Sequence, residues 1–119
     1  MNKRMDLSKL KGILDDRRVS AGESVLALHS HDESFHAASL PDVVVWPRTT
    51  EEVSLLVQWA CRNQIPVTAW GAGTSLEGNP IPVRGGMVID FGEMNQILAI
   101  RAEDFQADVQ AGVIYKELN

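Results

Sequence analysis

Residues 69–79 read Ala-Trp-Gly-Ala-Gly-Thr-Ser-Leu-Glu-Gly-Asn, with Gly71, Gly73 and Gly78 bracketing the hydroxyls of Thr74 and Ser75. Glycines that permit positive φ, next to hydroxyl donors, are what a loop needs to close its backbone N–H groups around an anion. Two familiar phosphate loops do not fit. A Walker loop needs GxxxxGK[ST], and although Gly73 and Gly78 have the spacing, Asn79 and Pro80 stand where Lys and Ser/Thr are required. The dinucleotide fingerprint GxGxxG fails at Leu76, and Pro80 and Pro82 forbid the long helix whose N-terminus would face the pyrophosphate. What remains is a nest of backbone amides that needs no lysine, or a plain turn after a strand; the loop alone leaves both open.

Other residues suggest chemistry more weakly. His29, His31 and His36 lie in one polar stretch, which we read as a solvated loop because no matching ligands follow downstream. Cys61 is the sole cysteine, read as a buried free thiol on a helix, since no Cys/His spacing suggests zinc. Glu77 would repel a phosphate and is expected to point away, accepting loop hydrogen bonds or pairing with a cation such as Arg84. Arg48 suits either a phosphate contact or a solvated turn before a helix.

The elements that must position these residues follow from periodicity. Leu7, Leu10, Ile13 and Leu14 predict an amphipathic helix from Asp6 to about Arg17, broken over Val19–Gly22. Val43–Trp46, apolar, β-branched and bounded by Pro41 and Pro47, predicts a short strand buried on both faces. Thr49 and Glu52 make an S/T-x-x-E capping box. Val53, Leu56, Val57 and Ala60, with Trp59 beside them, then predict a helix to Arg62 or Asn63. Ile65–Trp70 reads as a second strand, completing a right-handed βαβ unit with the glycine loop at its carboxyl end. Met87–Asp90 reads as a third strand, Ile97–Arg101 and Ala107–Ala111 as an antiparallel pair turning near Glu103-Asp104, and Val113–Leu118 as the start of a helix. The three tryptophans are expected to pack in the core or at a subdomain face.

With 119 residues, 45% of them hydrophobic and 23% charged, the chain suits one modest globular domain. Eleven basic against sixteen acidic residues give a formal charge of −5, so no general attraction for nucleic acid or an anionic membrane is expected. No apolar run is long enough for a transmembrane segment, and the N-terminus has no apolar h-region. A cytoplasmic setting is expected, with membrane association only through an electron acceptor.

Five stretches taken in order carry a resemblance: Pro41–Val53, Ile65–Gly78, Gly85–Asp90, Met94–Ile97 and Ala111–Val113. Together they resemble the FAD-binding domain of the PCMH or vanillyl-alcohol-oxidase type. Within it they are most similar to FAD-linked D-lactate dehydrogenases and the glycolate oxidase FAD subunit, whose entry segment resembles His31–Ser34. The resemblance implies an α/β (α+β) fold containing the βαβ subdomain of that domain and cut short at Asn119. Residues 1–36 would be an N-terminal helix and lead-in loop, and 37–119 the first part of the domain. It also implies that Gly71, Ala72, Gly73, Thr74, Ser75 and Gly78 bind the FAD pyrophosphate, with the turn at Pro47 and Arg48 bordering it. Thr74 stands where some relatives attach flavin through histidine, so non-covalent FAD is expected. The implied partners are a D-2-hydroxy acid and a quinone, cytochrome or other electron acceptor. Catalytic groups are expected beyond Asn119, leaving residues 1–119 inactive alone and weak for FAD. Two rivals are a UDP-N-acetylenolpyruvoylglucosamine reductase-like flavoenzyme, disfavoured by Leu76, and a stand-alone module binding a phosphate ligand or a protein.

Overall fold

The computed structural model describes residues 5–119. Its centre is a four-stranded sheet in the order β1-β2-β4-β3, formed by Val19–Ser20 (β1), Val43–Val45 (β2), Met87–Asp90 (β4) and Val67–Trp70 (β3). Strands β2, β4 and β3 are mutually parallel, and β1 pairs antiparallel with β2. A separate hairpin joins Ile97–Arg101 (β5) to Gln106–Val109 (β6), and a short helix, Tyr115–Leu118 (α4), follows.

Strands β2 and β4 are covered on both sides, whereas edge strand β3 is buried only at Trp70. Val43 and Val45 of β2, with Met87 and Ile89 of β4, pack against Leu10 and Leu14 from the first helical segment and against Leu56, Trp59 and Ala60 of helix α3, Thr50–Arg62. Val44, Val88 and Trp70 point the other way, toward Val25 and Leu26 of helix α2, Glu23–Leu28, and toward Trp46. The continuous apolar run of β2 is therefore buried because alternate side chains meet different layers.

The first helix is shorter than its periodicity predicts. Helix α1 covers only Ser8–Ile13, and a single 3-10 turn, Asp16–Arg18, replaces its last part. Leu14 is already extended. Asp15 caps the amide of Arg17 and pairs with Arg18, whose guanidinium is drawn across to Glu52. The supposed break over Val19–Gly22 holds the two-residue strand β1, and the apolar run after it forms α2. In α3 the buried stripe includes Trp59 and leaves Val57 exposed, because the largest apolar side chain sets which face turns inward. Strand β3 begins at Val67 rather than Ile65, since Gln64 sits at φ +54° and the Ile65 amide returns to Ala60. Strand β6 ends at Val109.

The capping box has a variant geometry. Thr49 Oγ1 accepts from the Glu52 amide at 3.1 Å, but the Glu52 carboxylate reaches back to the amide of Arg48 at 2.8 Å, one residue beyond the cap. The same carboxylate takes a two-pronged bond from Arg18, both contacts at 2.8 Å. That fork ties the start of α3 to the segment entering β1. It also fixes the turn of Pro47 and Arg48 at the end of β2.

Candidate functional site

Strands β2, β4 and β3 are parallel, so their carboxyl ends share one edge of the sheet. Pro47-Arg48 leaves β2 there, the Phe91–Glu93 turn leaves the central β4, and Gly71–Gly78 leaves the outer β3. Ligands of open parallel sheets bind at such edges, where loops diverge and backbone groups are free. The topology thus brings Pro47, Arg48 and the glycine loop to one edge of the sheet. Arg48 Nε donates to Glu93 Oε1 at 2.7 Å, linking the β2 and β4 turns in an exposed ion pair; that pair occupies part of the guanidinium.

Within the glycine loop, the backbone N–H groups of Ala72, Gly73, Thr74, Ser75 and Leu76 find no acceptor among the described residues. Gly73 lies at φ +73°, and a Cβ built on it would stand 2.3 Å from the Trp70 ring. Only glycine fits that close approach and that backbone region. Trp70 is buried beneath the loop as a floor. Ser75 Oγ accepts from the Glu77 amide at 3.1 Å and donates to Asn79 Oδ1. The Gly78 amide is also committed: it donates to Asp32 Oδ2 at 2.8 Å. This bond closes the loop onto the segment before it. No ion pair joins Glu77 to Arg84 among the described residues; Glu77 is exposed.

The histidine stretch corrects the sequence reading. His31 and His36 are exposed, but His29 is 3% exposed, buried under the same edge. Its Nε2 lies 2.7 Å from Asp90 Oδ2 and its Nδ1 2.8 Å from the Val25 carbonyl. The ring leans on Trp70, centroids 4.8 Å apart, and meets Trp46 edge-on at 5.8 Å. Burial works against a charged ring, yet the Asp90 carboxylate and the Val25 carbonyl outweigh it and hold the His29 pKa above its ordinary value. With acceptors at both nitrogens, the imidazolium satisfies both. No local pattern announces a pair 61 positions apart. Asp32, also missed as a site residue, carried one local signal: Asp-x-Ser spacing suits a side chain that folds onto its own backbone. Cys61 is exposed rather than buried, being on the outer side of α3. The described residues contain no group of three or more His, Cys, Asp or Glu placed to hold a metal, and no helix long and apolar enough to cross a membrane.

Residues 41–119 match the family described as FAD binding domain. The chain belongs to this family. It is 38% identical over 113 residues to a probable mitochondrial D-lactate dehydrogenase of Danio rerio, covering 95% of this chain and 23% of that one. To the glycolate oxidase subunit GlcD of Bacillus subtilis it is 40% identical over 87 residues, covering 73% and 18%. Among solved structures, substrate-bound p-cresol methylhydroxylase superposes with a TM-score of 0.84 at 25% identity, covering 94% of this chain and 22% of that one. An alkyldihydroxyacetonephosphate synthase gives 0.83, also at 25% identity, with 94% and 25% covered. The chain thus spans about a quarter or less of the length of these relatives.

The cofactor of the family is FAD, and the residues present fit its phosphates. Five successive amides lack internal acceptors, Gly73 holds the positive φ that such a nest of amides needs, and no lysine is required because oriented N–H dipoles supply the positive field.

Proposed function

We propose that this chain supplies the pyrophosphate-binding edge of a flavoprotein that oxidises a D-2-hydroxy acid, D-lactate first and glycolate second. The observation that carries the reading is the run of open amides from Ala72 to Leu76 at the carboxyl edge of the parallel sheet, in a chain of the FAD-binding family. The substrate class rests on similarity to proteins named as D-lactate dehydrogenases and as a glycolate oxidase subunit.

In this reading the amides of Gly71, Ala72, Gly73, Thr74 and Ser75 hold the pyrophosphate, and the Thr74 hydroxyl adds a donor. Gly78 shapes the turn, while Pro47 and Arg48 form the opposite rim. Bound FAD supplies a two-electron acceptor for the substrate, and a quinone, cytochrome or other carrier then takes the electrons. The groups of this chain bind and orient; none is assigned to proton removal. Residues 1–36 act as the lead-in and 37–119 as the first part of the FAD domain. The protein works in the cytoplasm, reaching a membrane only through its electron acceptor.

The test is to express the complete reading frame, record its flavin absorbance and add D-lactate, L-lactate or glycolate without oxygen. Bleaching by D-lactate and not by L-lactate is expected. Bleaching by none of the three would overturn the substrate assignment, and absence of a flavin spectrum would overturn the cofactor role. Residues 1–119 alone are expected to bind FAD weakly; tight stoichiometric binding would refute that.

A further inference from the structure

The lead-in segment is fastened to the glycine loop at three points. Asp32, 7% exposed, spends one carboxylate oxygen on its own turn, taking the Ser34 amide at 2.9 Å and the Ser34 hydroxyl at 2.5 Å. Its other oxygen takes the Gly78 amide at 2.8 Å. The adjacent Glu33 amide donates to the Ser75 carbonyl at 3.0 Å. The His36 ring lies under Gly78, where a Cβ would come within 2.6 Å of it and φ is +76°.

These contacts have a directional effect. In a trans peptide the C=O and the following N–H point in opposite directions, and no peptide here is cis. Holding the Ser75 carbonyl on Glu33 therefore turns the Leu76 N–H away from the lead-in. Holding the Gly78 N–H on Asp32 turns the Glu77 carbonyl away likewise. The second half of the loop is oriented from outside the loop, and the amides before it remain without internal acceptors.

We propose that Asp32 is a positioning residue for the anion loop: with the Glu33 amide it fixes Ser75–Gly78 so that the Ala72–Leu76 amides stand ready for phosphate. This rests on the FAD reading above and extends it to a residue that does not touch the cofactor. Burial alone would raise the Asp32 pKa, but the Ser34 and Gly78 donors hold it below its usual range, so the carboxylate stays ionised at neutral pH.

The experiment uses the complete gene product as apoprotein, with D32A, D32N and S34A. Hydrogen exchange is followed across residues 72–79, FAD affinity by flavin fluorescence, and kcat at saturating FAD. D32A should speed exchange in 72–79 and raise the FAD Kd by about tenfold, the loss of one charge-assisted hydrogen bond. D32N, which keeps an acceptor oxygen, should lie between D32A and wild type, and S34A should show a smaller change in the same direction. The kcat at saturating FAD should be unchanged. A folded D32A with wild-type exchange and Kd overturns the proposal, as does a fall in kcat that saturating FAD does not restore. Should D32A fail to fold, D32N decides: faster exchange and weaker FAD binding support the role, and wild-type values refute it. A wild-type protein that binds no FAD sinks the cofactor reading, whereas exchange in the apoprotein reports on the Asp32 clamp separately.

Discussion

At the scale of single residues, Gly73 and His29 both pack against Trp70. Gly73 needs both a positive φ and the space its missing Cβ leaves above the indole. Gly73→Ala should therefore destabilise the fold by about 1–3 kcal/mol, the usual cost of forcing a side chain into that region, read by urea unfolding, and should weaken FAD binding in the complete protein. His29 leans on the same indole and is paired with Asp90. Because its folded pKa is raised above the ordinary 6.5, its contribution is fully present below that pH and fades as pH rises through the higher folded value. Unfolding free energy measured from pH 5 to 9 should show this decline in wild type and lose it in His29→Ala. That variant should cost about 3 kcal/mol at pH 6, because it strands the Asp90 carboxylate. The glycine spacing made the loop legible from its residues alone. His29 was not legible: a histidine among polar neighbours reads as solvated, and its burial depends on a strand that arrives far later in the chain.

At the scale of elements, helix α3 is held at its start by charge as well as by its apolar stripe. The Arg18 fork, opposed by partial burial and helped by the Arg48 amide, lowers the Glu52 pKa to about 2 from an ordinary 4.5. A depressed carboxylate stabilises the fold above its unfolded pKa, and the effect disappears as pH falls through about 2. The shift corresponds to about 3 kcal/mol at neutral pH. Glu52→Gln should lose about that much at pH 7, and the difference from wild type should close as acid unfolding is approached. The helix and the βαβ unit were readable because a capping box, a β-branched run and helical spacing agree with one another. What could not be read was the Arg18 side of the fork. Its position follows from ending α1 early, and the periodicity of Leu7, Leu10, Ile13 and Leu14 continues past that point. The exposure of Val57 and Cys61 has a similar origin, since one turn of the stripe is decided by Trp59 packing on β2 and β4.

At the scale of the whole molecule, the central strands β2 and β4 are well covered while the β5–β6 hairpin is not. Leu98, Ile100 and Phe105 are exposed on it, Phe105 at 98%. Exposed apolar groups of this kind drive association. A polypeptide of residues 1–119 alone should self-associate at micromolar concentration in sedimentation velocity, and Leu98→Ser with Ile100→Ser should shift it toward monomer. The alternation that identified the hairpin said nothing of its covering, because alternation reports a strand and not its neighbour. The strand order has a further result, one of timing. Strand β4 is the last of the four in sequence yet sits between β2 and β3, so neither has its final neighbour until residue 90 has left the ribosome. Chain made up to Gly78 holds every glycine of the loop but lacks the Asp90 that pairs with His29. Synthesis thus presents the phosphate loop first and the central strand of its sheet afterwards.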